Sequence, residues 1–241
     1  MEGKQIMTTE VSKKEKFLNI VKLVLSKISQ FFKFLWNEGV KFPVYILFQP
    51  FKGFDEFKRY KRAKMSLAIT YIVLYILLSI MDFHYSGFIV NQRDITDLNT
   101  IAEIGYVVVP LVVLVVANWS VTTLFDGKGT MKDIFLLTSY ALFPMIVTKF
   151  FGIFVSNIIV AKEVGIYSLI MGIGAFGSAY FLFVGWMAIH EYGLLKCILM
   201  AVFTLVAAIV ILFAVALLFD LYRRIFSFVY TVYREISLRY F

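Results

Sequence analysis

The chain has 241 residues, 61% of them apolar and 17% charged, with a mean hydropathy of +0.83; soluble domains run nearer about 45–50% apolar and about 25% charged. That balance excludes a disordered chain and a water-exposed enzyme surface and leaves an integral membrane protein, while one cysteine, Cys197, excludes an internal disulfide framework and any cysteine-built metal cluster. The net charge of +8 lies entirely in residues 1–64, which hold 14 Lys plus Arg against 6 Asp plus Glu, whereas residues 65–241 balance at ten against ten. With no reader motif beside it, this charge predicts a cytoplasmic membrane anchor and not a nucleic-acid footprint.

Residues 1–16 are polar and Lys-rich, without the apolar core and cleavage site of a signal peptide. From Phe17 to Leu35 apolar residues recur at the spacing of one helical face, with Lys16, Lys22, Lys27 and Lys33 outside it, which predicts a basic amphipathic helix. Such a helix either lies in the headgroup plane against anionic lipid or packs on another protein surface. Pro43 and Pro50 then bracket an apolar stretch too short to cross a bilayer, expected at the interface. The run Lys58, Arg59, Lys61, Arg62 and Lys64 precedes the first strongly apolar segment, a start-of-span signal with lipid-binding potential. Residues 1–64 are therefore expected to form one cytoplasmic basic and interfacial region.

Five apolar segments follow, at 65–81, 104–125, 134–160, 166–189 and 197–219, each long enough or nearly so to span. The predicted fold is an all-α integral membrane protein, a five-helix bundle over 65–219 with the basic N-terminal helix before it. The loop 82–103 is poor in Lys and Arg, as outside loops are. Residues 220–241 mix aromatic and aliphatic side chains with Arg223, Arg224, Arg234 and Arg239 and read as an amphipathic C-terminal continuation of the last helix. An odd number of crossings puts this tail outside, whereas its arginines argue for inside; the larger N-terminal bias favours five crossings with the N-terminus cytoplasmic.

Motif spacing offers no chemistry. Gly172, Gly174 and Gly177 match a dinucleotide turn formally but lie inside a spanning run, where Gly174, Ser178 and Gly185 are expected to pack against a neighbouring helix. Thr122 and Gly129 stand where a phosphate loop around Gly127-Lys128 needs glycine and Ser or Thr, and His190-Glu191 lacks the second histidine of a zinc-protease helix. No catalytic residue, metal or cofactor is expected.

Polar residues near the ends of spans two and three stand out. Asn118, Thr122 and Asp126 recur at every fourth position, as do Lys132, Leu136, Tyr140 and Pro144, and the turn Asp126-Gly127-Lys128-Gly129 supplies glycines for a reversal of direction. With Trp119, Thr123 and Asp133 they make a candidate hairpin, serving either a partner or only the fold. Lys149, deep in span three, either snorkels to the outer headgroups or pairs with an acid, for which Glu103 is the expected partner.

The block from Asn118 to Pro144, a span, a Gly-rich turn, Lys-Asp-x-Phe and Tyr-Ala-Leu-x-Pro, resembles the Yip family of five-span membrane proteins, named for interaction with Ypt/Rab GTPases. The stretch QPFKGFDEFK at 49–58 is similar to the region before that family's first span. The resemblance implies a five-helix bundle with a cytosolic N-terminus and a non-enzymatic role in shaping or sorting membranes. The chain lacks the long Pro, Gly or Gln-rich N-terminal tail of eukaryotic members, which argues against a small GTPase as partner and for a prokaryotic relative in a plasma membrane. The functional expectation is a non-catalytic scaffold that organises anionic lipid or a partner membrane protein; a small permease or an accessory subunit of a transporter is the alternative.

Overall fold

The computed structural model describes residues 26–27, 29–30, 33–60, 62–94 and 98–240, with side chains to 238. They fall into two compact units that divide between Gln49 and Pro50. In the first, a π-helical turn Asn37–Lys41 runs directly into α1, Phe42–Phe48, whose first turn holds Pro43; without an N–H it cannot continue a regular ladder, and the wide turn stands just before it. Lys27 and Lys33 are helical and exposed. Lys16, Lys22 and most of the apolar stripe from Phe17 lie outside the described residues.

The second unit is all helix among its described residues: α2 Pro50–Lys58, α3 Met65–Tyr85, α4 Thr100–Leu124, α5 Met131–Tyr140, α6 Phe143–Ser156, α7 Val164–His190 and α8 Leu194–Tyr240. Among the described residues five stretches are long and apolar enough to cross a membrane, with α5 and α6 together making the third. The chain is a multi-pass integral membrane protein. Asn99 starts α4 by accepting from the backbone N–H groups of Ile101 and Ala102 at 3.1 and 3.2 Å. Thr130 starts α5 through a reciprocal cap, its Oγ1 accepting from Asp133 N at 3.2 Å and the Asp133 carboxylate accepting from Thr130 N at 3.1 Å. The third span, expected as one helix, is interrupted. Pro144 has no N–H to offer Tyr140, so the chain tightens at Ala141 and Leu142, where Leu142 N donates to Ser139 O at 3.2 Å before α6 begins.

Small residues set the packing of α7 on α5 and α6. A Cβ added to Gly174 would overlap the Thr148 side chain and one added to Gly185 would overlap Leu137. The backbones therefore approach as closely as membrane helices with small residues allow. Helix α8 runs along α4, burying Cys197, Met200 and Thr204 and stacking Phe203 on Phe125 at 5.6 Å.

Residues 50–64, expected with the N-terminal interfacial region, belong instead to the bundle unit. Phe54 and Phe57 on α2 are buried, Phe54 against Phe181 at 5.2 Å and Phe57 against Tyr140 at 5.4 Å, and Tyr71 closes the nest at 5.0 Å from Tyr140. Two aromatic side chains of this size outweigh the interfacial preference that charge alone suggests. Helix α8 is one element of 47 residues, so the tail expected over 220–241 is its unbroken continuation.

Candidate functional site

The polar groups of the hairpin converge where α4 ends, α7 ends and α8 begins. Asn118 and Thr122 on α4 and His190 at the end of α7 are each 1% exposed, and Thr204 on α8 is fully buried. Gly129 N donates to His190 Nδ1 at 3.3 Å, which leaves the ring proton on Nε2. That Nε2 donates to Asn118 Oδ1 at 3.2 Å, the Asn118 amide donates to Thr204 Oγ1 at 3.1 Å, and the Thr204 hydroxyl donates to Met200 O at 2.7 Å. Thr122 Oγ1 donates to Asn118 O at 2.7 Å. The chain of donors runs in one direction through the turn and three helices, with each of these links satisfied by the next.

Around this chain the backbone is forced into an uncommon shape at two places. Asp126 and Glu191 have φ of 57° and 56°, the left-handed region, and both end helices there. Asp126 is therefore not the third member of a helical stripe. Helix α4 stops at Leu124, and Asp126 turns out to solvent while Gly127 N returns to Thr122 O at 2.8 Å. The two glycines of the turn serve space and not backbone freedom, since neither has positive φ. A Cβ at Gly127 would sit 2.7 Å from His190 Nδ1, and one at Gly129 2.7 Å from His190 Cε1.

Outside the buried chain lies an ionic cap. Glu191 accepts from Lys128 at 2.5 Å and from Lys58 at 3.2 Å, and Lys58 also donates to Ile189 O at 2.7 Å. The Lys128 hydrogen bond first, and Lys58 second, hold the Glu191 carboxyl below its ordinary value. Tyr192 donates to Phe125 O at 3.0 Å, and burial, aided by Asp126, pushes its phenol up, so it stays a donor.

The structure thus joins Asn118, Thr122, Gly127, Lys128 and Gly129 in one site and separates the other candidates from it. Trp119 and Thr123 are exposed and linked to each other by Thr123 Oγ1 donating to Trp119 O at 2.6 Å. Lys132 is exposed, and Asp133 is a helix cap. Tyr140 is fully buried and accepts from Lys64 N at 3.0 Å, and Pro144 is buried at the break. The basic run before span one is partly neutralised, Arg59 by Asp55 at 2.6 Å and Arg62 by Glu56 at 2.5 Å, while Lys61 lies outside the described residues. Sequence reasoning missed His190, Glu191, Tyr192 and Thr204. The available signal was a His-Glu-Tyr-Gly interruption after 26 residues of nearly uncharged chain.

At the opposite end of the bundle Lys149 does not pair with Glu103. Its Nζ lies 3.0 Å from Ser79 Oγ, 3.8 Å from Asp82 Oδ2 and 5.1 Å above the Tyr75 ring. Arg93 folds back from the loop and stands 3.9 Å from both Asp82 and Glu103, with its guanidinium 4.4 Å over Phe83. Glu103 is thus taken by Arg93, and Lys149 meets the acid one turn above Ser79 on α3.

The Yip1 domain family model matches residues 44–216. The chain belongs to the Yip1 domain family. No curated protein and no solved structure matches it. The matched Yip1 region takes in α2, the hairpin and the start of α8 through Thr204, so the buried hydrogen-bond chain lies inside the domain. The Yip1 family is linked to membrane trafficking and is generally non-catalytic.

Proposed function

We propose that this Yip1-domain protein is a non-catalytic membrane scaffold that holds a partner membrane protein along α8. The observation that carries the reading is the fate of α8 after Thr204. The helix is anchored by Cys197, Met200 and Thr204, yet no residue from 205 to 238 is buried. At about 1.5 Å per residue its 47 residues run to about 70 Å, more than twice a hydrocarbon core of about 30 Å. The buried groups of the hairpin, by contrast, are used up within the fold. They serve to fix where α8 leaves the bundle, and the partner is met by α8 itself.

The same reading takes the chain as a prokaryotic relative in a plasma membrane with a cytoplasmic N-terminus. Lys27 and Lys33 then face anionic headgroups, each contributing on the order of 1 kcal/mol near such a surface. Arg59 and Arg62 contribute less because Asp55 and Glu56 already hold them, and a small GTPase is not the expected partner.

Photo-crosslinking decides the matter. A benzophenone side chain placed at Leu205, Ile209, Phe213 and Leu217 in turn should capture one defined protein at helically spaced positions and lose it when residues 220–241 are removed. Capture of lipid alone at all four positions would overturn the scaffold reading.

A further inference from the structure

A cavity of ≈ 250 Å³ lies among α3, α4, α7 and the break between α5 and α6. Pro110 and Leu114 on α4 form one wall, Ser178 on α7 the other, and Ala141, Leu142 and Met145 at the break between α5 and α6 the floor. The cavity exists because the third span is interrupted there: two short helices meeting at a turn cannot fill the space that a continuous helix would. Exposed Tyr106 stands at its edge, so it is reached sideways from the lipid.

Ser178 distinguishes this cavity from a packing defect. Other hydroxyls of the buried spans return to their own helix: Thr138 Oγ1 donates to Ile134 O at 2.8 Å, Ser139 to Phe135 O at 2.8 Å and Thr148 to Pro144 O at 3.1 Å. Ser178 is 7% exposed, lines the cavity, and its Oγ has no hydrogen-bond partner. It sits at the middle of the 27-residue α7, at the depth where neither water nor headgroups reach. A hydroxyl left unmade there is costly, and an oxygen brought in by a ligand compensates it.

We propose that this cavity binds a membrane-soluble hydrocarbon carrying one hydroxyl or carbonyl oxygen, with Ser178 as its hydrogen-bonding partner. The volume suits a single ring with a short chain, since a dry apolar cavity of about 150 Å³ holds benzene. The walls contribute no charge, which rules against lipid phosphate and leaves the one oxygen as the specificity element. The site is separate from the α8 surface, so it stands or falls independently of the scaffold reading.

The test uses the full chain in detergent with a matched pair of probes, 4-propylphenol and propylbenzene, their dissociation constants read by ligand-observed NMR. Wild-type protein should prefer the phenol roughly threefold to tenfold, the range one net hydrogen bond supplies. Ser178→Ala should bind both probes alike while keeping the affinity for propylbenzene, and without probe its Tm should rise because the orphaned hydroxyl is gone. Ala141→Leu should exclude both. Equal binding of the pair by wild type, a preference that survives Ser178→Ala, or no binding of either probe would each overturn the proposal.

Discussion

Replacing Asn118 by leucine tests whether the buried chain of hydrogen bonds holds α4, α7 and α8 in register. The substitution keeps side-chain size and removes both the acceptor for His190 Nε2 and the donor to Thr204 Oγ1, at 3.2 and 3.1 Å. The two losses differ in weight. Thr204 still donates to Met200 O at 2.7 Å, so it merely gives up an interhelical bond, of about 0.6 kcal/mol by the average for such bonds in membranes. His190 keeps a buried N–H with nothing to receive it, and that orphan costs about 1–3 kcal/mol. The sum is roughly 2–4 kcal/mol, of which the orphaned proton is the larger part.

Cys197 makes the measurement direct. It is the chain's one cysteine and 1% exposed, in the first turn of α8, so a thiol-reactive dye reads the opening of this end on heating. At roughly 2–4 °C per kcal/mol for a domain of this size, Asn118→Leu should lower the midpoint by about 5–15 °C. Thr204→Val should also destabilise by about 1–3 kcal/mol, because it strands the buried Asn118 Nδ2 donor while Oδ1 keeps its bond to His190, and the double variant, which no longer holds that donor, should fall little below Asn118→Leu. An Asn118→Leu midpoint within a degree of wild type, or strict additivity with Thr204→Val, would refute the coupled chain.

Three further outcomes follow from the same geometry. Gly129→Ala should destabilise by about 1–3 kcal/mol by overpacking, since its Cβ would meet Ile189 Cγ2 at 2.5 Å, while Gly172→Ala, with open space around it, should be neutral or raise the thermal midpoint. In double-mutant cycles Lys149→Met should couple to Asp82→Asn more strongly than to Glu103→Gln, and Asp82→Asn should cost more than Glu103→Gln because it leaves the half-buried Lys149 without its carboxylate while Arg93 keeps Glu103; equal coupling to Glu103 would contradict the arrangement. Glu191 is held below its ordinary value of 4.5, so its contribution is present above that pH and lost as the pH falls through the folded value. Glu191→Gln should therefore be less stable than wild type near neutral pH, with the gap closing in acid and in high salt; a gap independent of pH would show that the two lysines do not act through this carboxylate.

The spans were legible because hydropathy needs no partner, and so was the close packing of Gly174 and Gly185, because small residues in a lipid-facing run have few other uses. The hairpin was legible as a place but not as a mechanism. Its glycines look like turn residues in a sequence, whereas in space they make room for His190, which is 61 residues from Gly129 and whose local signal, a polar break after an uncharged run, does not say which turn it meets. Asp126 fell on the helical stripe only so long as α4 was assumed to continue; the left-handed backbone that ends the helix is a tertiary outcome, stabilised by Tyr192 donating to Phe125 O. Glu103 was chosen for Lys149 by depth alone. Depth cannot see that Arg93 returns from the loop and takes Glu103 first.

These differences share a cause that also bears on function. One end of the bundle is tied by buried neutral hydrogen bonds beneath the Lys58, Glu191 and Lys128 cap and the other by alternating charges, Lys149, Asp82, Arg93 and Glu103, so the helices are pinned at both ends. Pinning at the ends relieves the middle of the need for polar contacts, and there the third span can break at Pro144 without unravelling the bundle. Among the described residues the buried polar side-chain atoms without a partner are Ser178 Oγ and Trp186 Nε1, both on α7. Helix α7 is also the element whose glycines hold it hardest against α5 and α6. On that helix Ser178 Oγ lines the cavity without a partner, available to whatever enters from the bilayer.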